Sequence, residues 1–286
     1  MHLGPEQTTG QAAVPRDAAT VLLLRPAASG GDFEVFMVKR SGLSDVFGEA
    51  HVFPGGKVDV ADGSPAMLAQ TEGADALDPA ALGEQLAPDR LAAMYVAAAR
   101  ETYEEAGVLL AHNAGHADLA GGRKRLNAKE PFAQVLASLG VKVDLGALVP
   151  WVRWVTPVFL AKRFDARFFL AAAPSDQQAV HDDYEATHSE WISPRAAMKR
   201  WEAGDIKLAP ATYISLFHLA TYDSIAAALA DARSRPAPIV IPHSFEQEGV
   251  RHIVLPGDRR HPVSAAAVPG PRHLRWDGAR YVPANP

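Results

Sequence analysis

The chain of 286 residues contains no cysteine, which removes disulfides and thiolate metal sites and agrees with a reducing, cytoplasmic setting. It has no run of about 18 consecutive apolar residues, so no membrane-spanning helix is expected. The first residues, Met1-His2-Leu3-Gly4-Pro5-Glu6, lack the basic and apolar regions of an export signal. Positive charge is not in excess: 28 Lys and Arg face 33 Asp and Glu, a net charge of −5 without the electrostatic footprint of a nucleic-acid binder. A small anionic substrate would then need local positive charge or a metal ion. There is no internal repeat, no Gly-x-Ser-x-Gly elbow, no phosphate loop and no dinucleotide fingerprint. His112 and His116 are four apart, but Gly115 and the end of the helix argue against a histidine metal pair. What is present is apolar material, 48% of residues against 21% charged, enough for one large domain or one domain with an appendage.

The most informative stretch is Ala97-Ala98-Ala99-Arg100-Glu101-Thr102-Tyr103-Glu104-Glu105-Ala106-Gly107-Val108. On a helix, Glu101 and Glu105 lie about 40° apart and Glu104 falls about 60° to the other side of Glu101. Three carboxylates therefore share one face. Like charges at these spacings destabilise a helix by a few tenths of a kcal/mol per pair, so something must offset the repulsion. A hard divalent cation does so, and Mg²⁺ or Mn²⁺ bound through carboxylate oxygen keeps positions open for phosphate oxygens. The simpler alternative is a solvated acidic face. Gly107 is placed to end the helix in a left-handed conformation.

Along the chain, residues 1–16 read as a flexible tail, 17–233 as the main domain and 234–286 as a proline-rich, β-rich C-terminal appendage. Residues 20–24 and 33–38 read as a hairpin, and a strand running to Phe53-Pro54-Gly55-Gly56 ends in glycines that permit close approach of backbone. Residues 60–88, rich in Ala, Gly, Pro and Asp, form an insertion with one short helix near 79–86; they read as a lid or substrate wall, or as a passive surface excursion. Helices are expected over 131–140, 194–202 and 211–233, and strands over 148–159, 167–171, 239–241, 250–255 and 273–276. Trp151, Trp154, Phe164, Phe168 and Phe169 read as core, with stacking on a nucleobase as the alternative.

Arg100 to Val108 resembles the helical half of the box that defines the Nudix hydrolases, Arg-Glu-(apolar)-x-Glu-Glu-x-Gly-(apolar), with Thr102 where an aliphatic residue is commoner. Gly55-Gly56 resembles its other half. In the usual box the second glycine is followed by five residues, a glutamate, seven residues and the arginine. Here Gly56 and Arg100 are 44 apart rather than 14, which leaves 30 additional residues. Counted back from Arg100, the usual glutamate position holds Ala92; Asp89 and Glu84 are nearby acids, neither at the right spacing. The stretch from Asp182 to Pro194, with Glu185 ahead of Trp191, resembles the late segment that supplies a further acid to the metal site. Thr156-Pro157 and Arg163-Phe164-Asp165-Ala166-Arg167-Phe168-Phe169 match the split-box branch, the coenzyme A diphosphatase-like or Nudix 19-like group.

The resemblance implies an α+β fold, an α/β/α sandwich with a mixed central sheet, and Mg²⁺- or Mn²⁺-dependent hydrolysis of a diphosphate in a nucleoside diphosphate derivative. Glu101, Glu104 and Glu105 are the expected metal ligands, with the Gly56 carbonyl. Glu185 is the expected general base or extra ligand, with Glu101 as the alternative base, and Arg100 orients the glutamates. Arg40, Gly55 and Lys57 are expected at the substrate. Arg40-Ser41 stands 13 residues before Phe53, the spacing of the coenzyme A-associated segment, although Ser44, Asp45, Glu49 and His51 depart from its pattern. Coenzyme A or acyl-coenzyme A is the substrate that the branch implies; a dinucleotide pyrophosphatase acting on ADP-ribose or NADH, and a non-catalytic metabolite-binding module, are the alternatives. The expected partner is a phosphorylated small molecule, not nucleic acid or membrane, and a homodimer is open.

Overall fold

A computed structural model of the chain describes residues 13–28, 30, 33–40, 49–112, 114–158, 160, 162–182 and 186–284. Glu185, residues 1–12 of the expected tail and residues 41–48 around Ser44 and Asp45 lie outside the described residues.

Strands β1 (Arg16–Pro26) and β2 (Phe33–Arg40) form the expected antiparallel hairpin. The chain then runs through β3 (Ala50–Val52), paired with β2, into β4 (Gly55–Lys57), paired with β1. The inserted segment follows: α1 (Pro65–Leu68), β5 (Thr71–Glu72) and single 3₁₀ turns, one of which, Pro79–Leu82, stands where a short helix was expected. Beyond it come α2 (Pro88–Ala106), α3 (Leu119–Asn127), α4 (Phe132–Leu139) and β6 (Val143–Asp144), the last parallel to β5. Next are β7 (Val149–Val155), β8 (Phe164–Ala172), β9 (Ala186–Ile192), α5 (Pro194–Ala203) and β10 (Lys207–Leu208). The expected helix over 211–233 is two helices, α6 (Pro210–Leu219) and α7 (Ile225–Arg233). Ser224 breaks it, because its hydroxyl caps a new helix by accepting from the Ala227 N–H.

Among the described residues nine strands make one mixed sheet, in the order β10-β3-β2-β1-β8-β7 and then β11 (Ile239–Val240), with β4 added on β1 and β9 on β2. Here β11, expected within the appendage, instead pairs in parallel with β7. The appended sheet begins afterwards, with β12 (His243–Gln247), β13 (Val250–Val254), β14 (His273–Trp276) and β15 (Tyr281–Pro283), all antiparallel. Of these, β12 and β15 had no expectation from sequence.

Both faces of the central sheet are covered, which is why β1 reads as a continuous apolar run rather than an alternating one. Val21 and Leu23 face a core built on α2, with Phe36, Val38, Phe169 and Ala171. Leu22 and Leu24 face the other core, with Val35, Met37, Leu170 and residues of α5, α6 and α7. Trp151, Trp154, Phe168 and Phe169 are buried core residues, while Phe164 is half-buried at the start of β8. Met67 and Leu82 of the insertion join the α2 core, so that helix is enclosed nearly all round. Among the described residues, no helix is long and apolar enough to cross a membrane.

The second core holds one titratable group under tension with its surroundings. His218 of α6 stacks on Trp151 with ring centroids 4.5 Å apart. The Tyr222 hydroxyl donates to Asp231 at 2.6 Å, so its oxygen accepts from His218 Nε2 at 3.0 Å. Nδ1 is buried with no hydrogen-bond partner among the described residues, and protonating it would bury a cation with an unmatched donor. Burial, with the charge of Arg235 in support, depresses the imidazole to about pH 4. A folded-state value below the unfolded one means stability intact above about pH 6.5 and lost as pH falls toward 4; at pH 5 the loss is about 2 kcal/mol. Urea unfolding at pH 7.5 and 5 is expected to show this extra loss in the parent chain and not in His218→Gln. Equal pH dependence in the two proteins would remove His218 as its source.

Candidate active site

The α2 helix starts with Pro88 at its first turn, continues through small residues, and ends at Gly107, whose φ of 70° supplies the expected left-handed cap. Gly107 N–H bonds to the Tyr103 carbonyl at 3.0 Å. Thr102, unusual for its box position, is fully buried because its hydroxyl donates to the Ala98 carbonyl one turn back at 2.7 Å. Alanines at 97 to 99 let the helix lie close to the sheet, and Ala93 does the same for Gly63 of the insertion.

The two halves of the box meet. The Gly55 N–H donates to Glu105 Oε2 at 3.1 Å. At Gly56 a Cβ would stand 2.5 Å from the Glu101 carboxyl, so the absence of a side chain is what admits that carboxylate. Gly55 is equally constrained on its other side, where a Cβ would fall 2.5 Å from the Ala19 carbonyl of β1.

Arg100 organises the cluster. Its Nε and Nη2 donate to the two oxygens of Asp62 at 2.8 and 3.0 Å, Nη1 donates to Glu101 Oε1 at 2.8 Å, and Nη2 also reaches the Lys57 carbonyl at 2.9 Å. Glu104 Oε1 is 3.6 Å from Nη1. Asp62 is only 2% exposed, and its Oδ2 accepts a further bond from the Asp59 N–H at 2.8 Å. Burial works against the guanidinium charge, but Asp62, Glu101 and Glu104 outweigh it and raise its proton affinity. Asp62 therefore fills the role for which Ala92 left no residue. Glu84, one of the two acids considered, instead pairs with Arg167 at 2.6 Å and Arg153 at 3.0 Å. The signal for Asp62 was available: it is the sixth residue after Gly56, the box's own spacing when counted forward, so the additional residues follow the acid.

A second arginine, which the sequence reading missed, holds the other end. Arg123 of α3 donates to the carbonyls of Glu104 at 2.9 Å, Glu105 at 2.8 Å and His181 at 3.4 Å. It thus caps α2 and ties the segment before β9 to that helix end, where Val180 N–H also bonds to the Ala106 carbonyl at 2.9 Å. No local pattern in α3 marks this residue. Lys57 contributes its carbonyl while its side chain is exposed, and Arg40 ends β2 opposite Ala186.

Burial, opposed by Arg100 and reinforced by Glu104, pushes the Glu101 carboxyl up to about 7. A cation beside it would reverse that direction. Among the described residues, no three His, Asp or Glu side chains stand ready as a metal cluster. Glu101 is engaged by Arg100 and Glu105 by the Gly55 amide.

The family model for the NUDT19 Nudix domain matches residues 69–219, more than half of the chain. The acyl-coenzyme A diphosphatase NUDT19 of Gallus gallus is 31% identical over 73% of this chain and 69% of its own length. This chain is a Nudix hydrolase of the NUDT19 family. The Homo sapiens NUDT19 acyl-coenzyme A diphosphatase is 28% identical, with 82% of this chain and 73% of the relative covered. The crystal structure of a Nudix hydrolase from Alicyclobacillus acidocaldarius superposes with a TM-score of 0.59 and 26% identity, covering 76% of this chain and 96% of that one. The matched family region contains the glutamate helix and begins after Gly55-Gly56 and Asp62, which the geometry of this Nudix hydrolase joins to it.

Removing Asp62 leaves a buried guanidinium without its bidentate partner, a change that typically destabilises by about 3–5 kcal/mol. Asp62→Ala is expected to lose stability on that scale in urea unfolding at neutral pH. A loss below about 1 kcal/mol would show that Arg100 does not depend on it.

Proposed function

We propose that this Nudix pyrophosphohydrolase cleaves the diphosphate of a coenzyme A-type metabolite, free or acylated, at the glutamate turn of α2. The observation that carries the reading is the contact between that turn and Gly55-Gly56, with Gly55 N–H on Glu105 and no side chain at Gly56 to exclude Glu101. Nudix hydrolases generally use divalent metal ions, and the residues suit one: three carboxylates, all hard oxygen donors, on one partly enclosed turn. Glu101, Glu104 and Glu105 would hold Mg²⁺ or Mn²⁺, with the Gly56 carbonyl as a further ligand. Bound there, the ion would neutralise the bridging and departing phosphate oxygens and acidify a water.

The chain's own groups do the rest. Arg100 keeps Glu101 and Glu104 from turning away, since its donors are fixed by Asp62 and the Lys57 carbonyl. Glu185 accepts the proton of the attacking water, with Glu101 as the alternative; in support, the segment four residues earlier is tied to the end of α2 through His181. Arg40 and the Lys57 ammonium meet substrate phosphates outside the metal-facing surface. Coenzyme A chemistry is supported by the names of the relatives and by Arg40-Ser41 standing 13 residues before Phe53.

The deciding experiment incubates the protein with coenzyme A, an acyl-coenzyme A, NADH, ADP-ribose, diadenosine polyphosphates and nucleoside triphosphates, with and without Mg²⁺ or Mn²⁺, and follows products by phosphorus NMR. Metal-dependent cleavage of the coenzyme A diphosphate, with kcat reduced at least 100-fold in Glu104→Gln and Glu105→Gln and the fold intact, is expected. Preference for ADP-ribose or NADH would move the substrate to dinucleotides, and unchanged turnover in the variants would refute the roles given to the two glutamates.

A further inference from the structure

The appended sheet has two chemically different faces. Ile253 and Leu274 stand opposite each other across β13 and β14 and are buried in the core shared with α5 and α6. Their neighbours alternate to the outer face, where Phe245, His252 and Arg275 form one cross-strand row and His273 lies two residues before Arg275. The loop after β13 adds Arg259 and Arg260. Beside Phe245, the side chains of His252, His273, Arg259, Arg260 and Arg275 line an open cleft of about 420 Å³, and among the described residues no carboxylate lines it. Among the described residues, the ion pairs of this sheet lie elsewhere, Arg251 with Glu246 and Arg280 with Asp277.

The hydrogen bonds inside the cleft run in one direction. A guanidinium can only donate, so Arg260 Nη1, 3.3 Å away, fixes His273 Nδ1 as an acceptor. His273 Nε2–H then donates to His252 Nδ1 at 2.7 Å, which leaves His252 Nε2–H as a further donor. Phe245 stacks under His252 with the rings 7° from parallel and their centroids 4.9 Å apart, and the Arg260 guanidinium stands 5.3 Å from the Phe245 ring. The aromatic ring thus holds two of the donors in place. Burial and the charges of Arg260, His252 and Arg259 lower the proton affinity of His273, outweighing the opposed charge of Asp258.

We propose that this cleft binds a small molecule carrying at least two phosphoryl groups, at a site separate from the glutamate helix. Three guanidinium forks and an imidazole donor around one concavity match oxyanion geometry. The volume falls in the range of ligand pockets, about 300–1,000 Å³. A nucleic-acid strand would instead favour cations spread along a groove with free aromatic faces, and here Phe245 already carries His252. The sheet packs on the α5–α6 side of the central sheet, whereas Glu101 belongs to α2 on the other side, so the two sites need not share a ligand.

Inorganic tripolyphosphate is the probe, titrated calorimetrically into the whole 286-residue chain in EDTA, so that binding dependent on divalent cations is removed. Saturable binding that weakens with added salt is expected. Affinity should fall at least tenfold in the Arg259→Gln/Arg275→Gln double variant, with unchanged circular dichroism and thermal midpoint, and should persist in Glu104→Gln and Glu105→Gln. Absence of saturable binding, an undiminished affinity in the double variant, or loss of binding in the glutamate variants would each overturn the proposal. Tighter binding of a single-stranded oligonucleotide at the same arginines would overturn the small-molecule assignment.

Discussion

The Arg100 guanidinium is shared by residues far apart in the chain: the carboxylate of Asp62, the carbonyl of Lys57 and, on its own helix, Glu101. A buried charge pair of this kind gains little net stability over an apolar substitute, yet leaves a severe penalty when one partner is lost. Its effect is therefore to impose an arrangement. With Asp62 holding two of its nitrogens, the guanidinium cannot rotate, and the Glu101 carboxylate is kept beside Gly56. Three acids on one helical turn would otherwise spread apart into solvent. The loop carrying Gly55-Gly56 and the helix carrying the glutamates are thus registered by one side chain that need not touch substrate.

That registration explains why the additional residues are tolerated where they are. The chain keeps its short path from Gly56 to Asp62, so the acid arrives at Arg100 as it would in an uninterrupted box. Everything added comes after the acid and before the arginine. The entropy of closing a longer loop rises only logarithmically with length, and here the loop also contributes Met67 and Leu82 to the core around α2. Glu84 adds an anchor through Arg153 and Arg167, within a group of charges that also includes Asp17 and Asp165. An enclosed helix with a fixed axis is a firmer base for the carboxylates than one with a wet outer face.

What could be read from the sequence followed how local the controlling physics is. The glutamate turn, its glycine cap and the Pro-Gly-Gly strand end are written in contiguous residues, and the structure brings them together. The hairpin and the apolar strands of the central sheet were legible for the same reason. Asp62 was hidden because counting back from Arg100 crosses the insertion, while counting forward from Gly56 does not. Arg123 was invisible because its bonds go to backbone carbonyls of another helix, an acceptor that leaves no mark in side-chain pattern. The break between α6 and α7 was obscured by a pattern that stays apolar across it, although Ser224 carries the capping signal. β11 joins the central sheet through two residues only, too few for periodicity to decide their partner.

Net charge conceals how charge is distributed. The total of −5 is the sum of opposed local fields. The turn of α2 gathers carboxylates next to one guanidinium whose charge Asp62 already balances, so that surface favours a cation. The cleft on the outer face of the appended sheet gathers guanidinium groups and imidazoles, with no carboxylate among the described residues that line it, so that surface favours an anion. A protein that handles phosphate esters can use both signs, because a metal ion reverses the sign of an acidic turn toward phosphate while arginines need no intermediary. The central sheet separates the two surfaces, which keeps the arginines from drawing the glutamates into ion pairs that would compete with a metal.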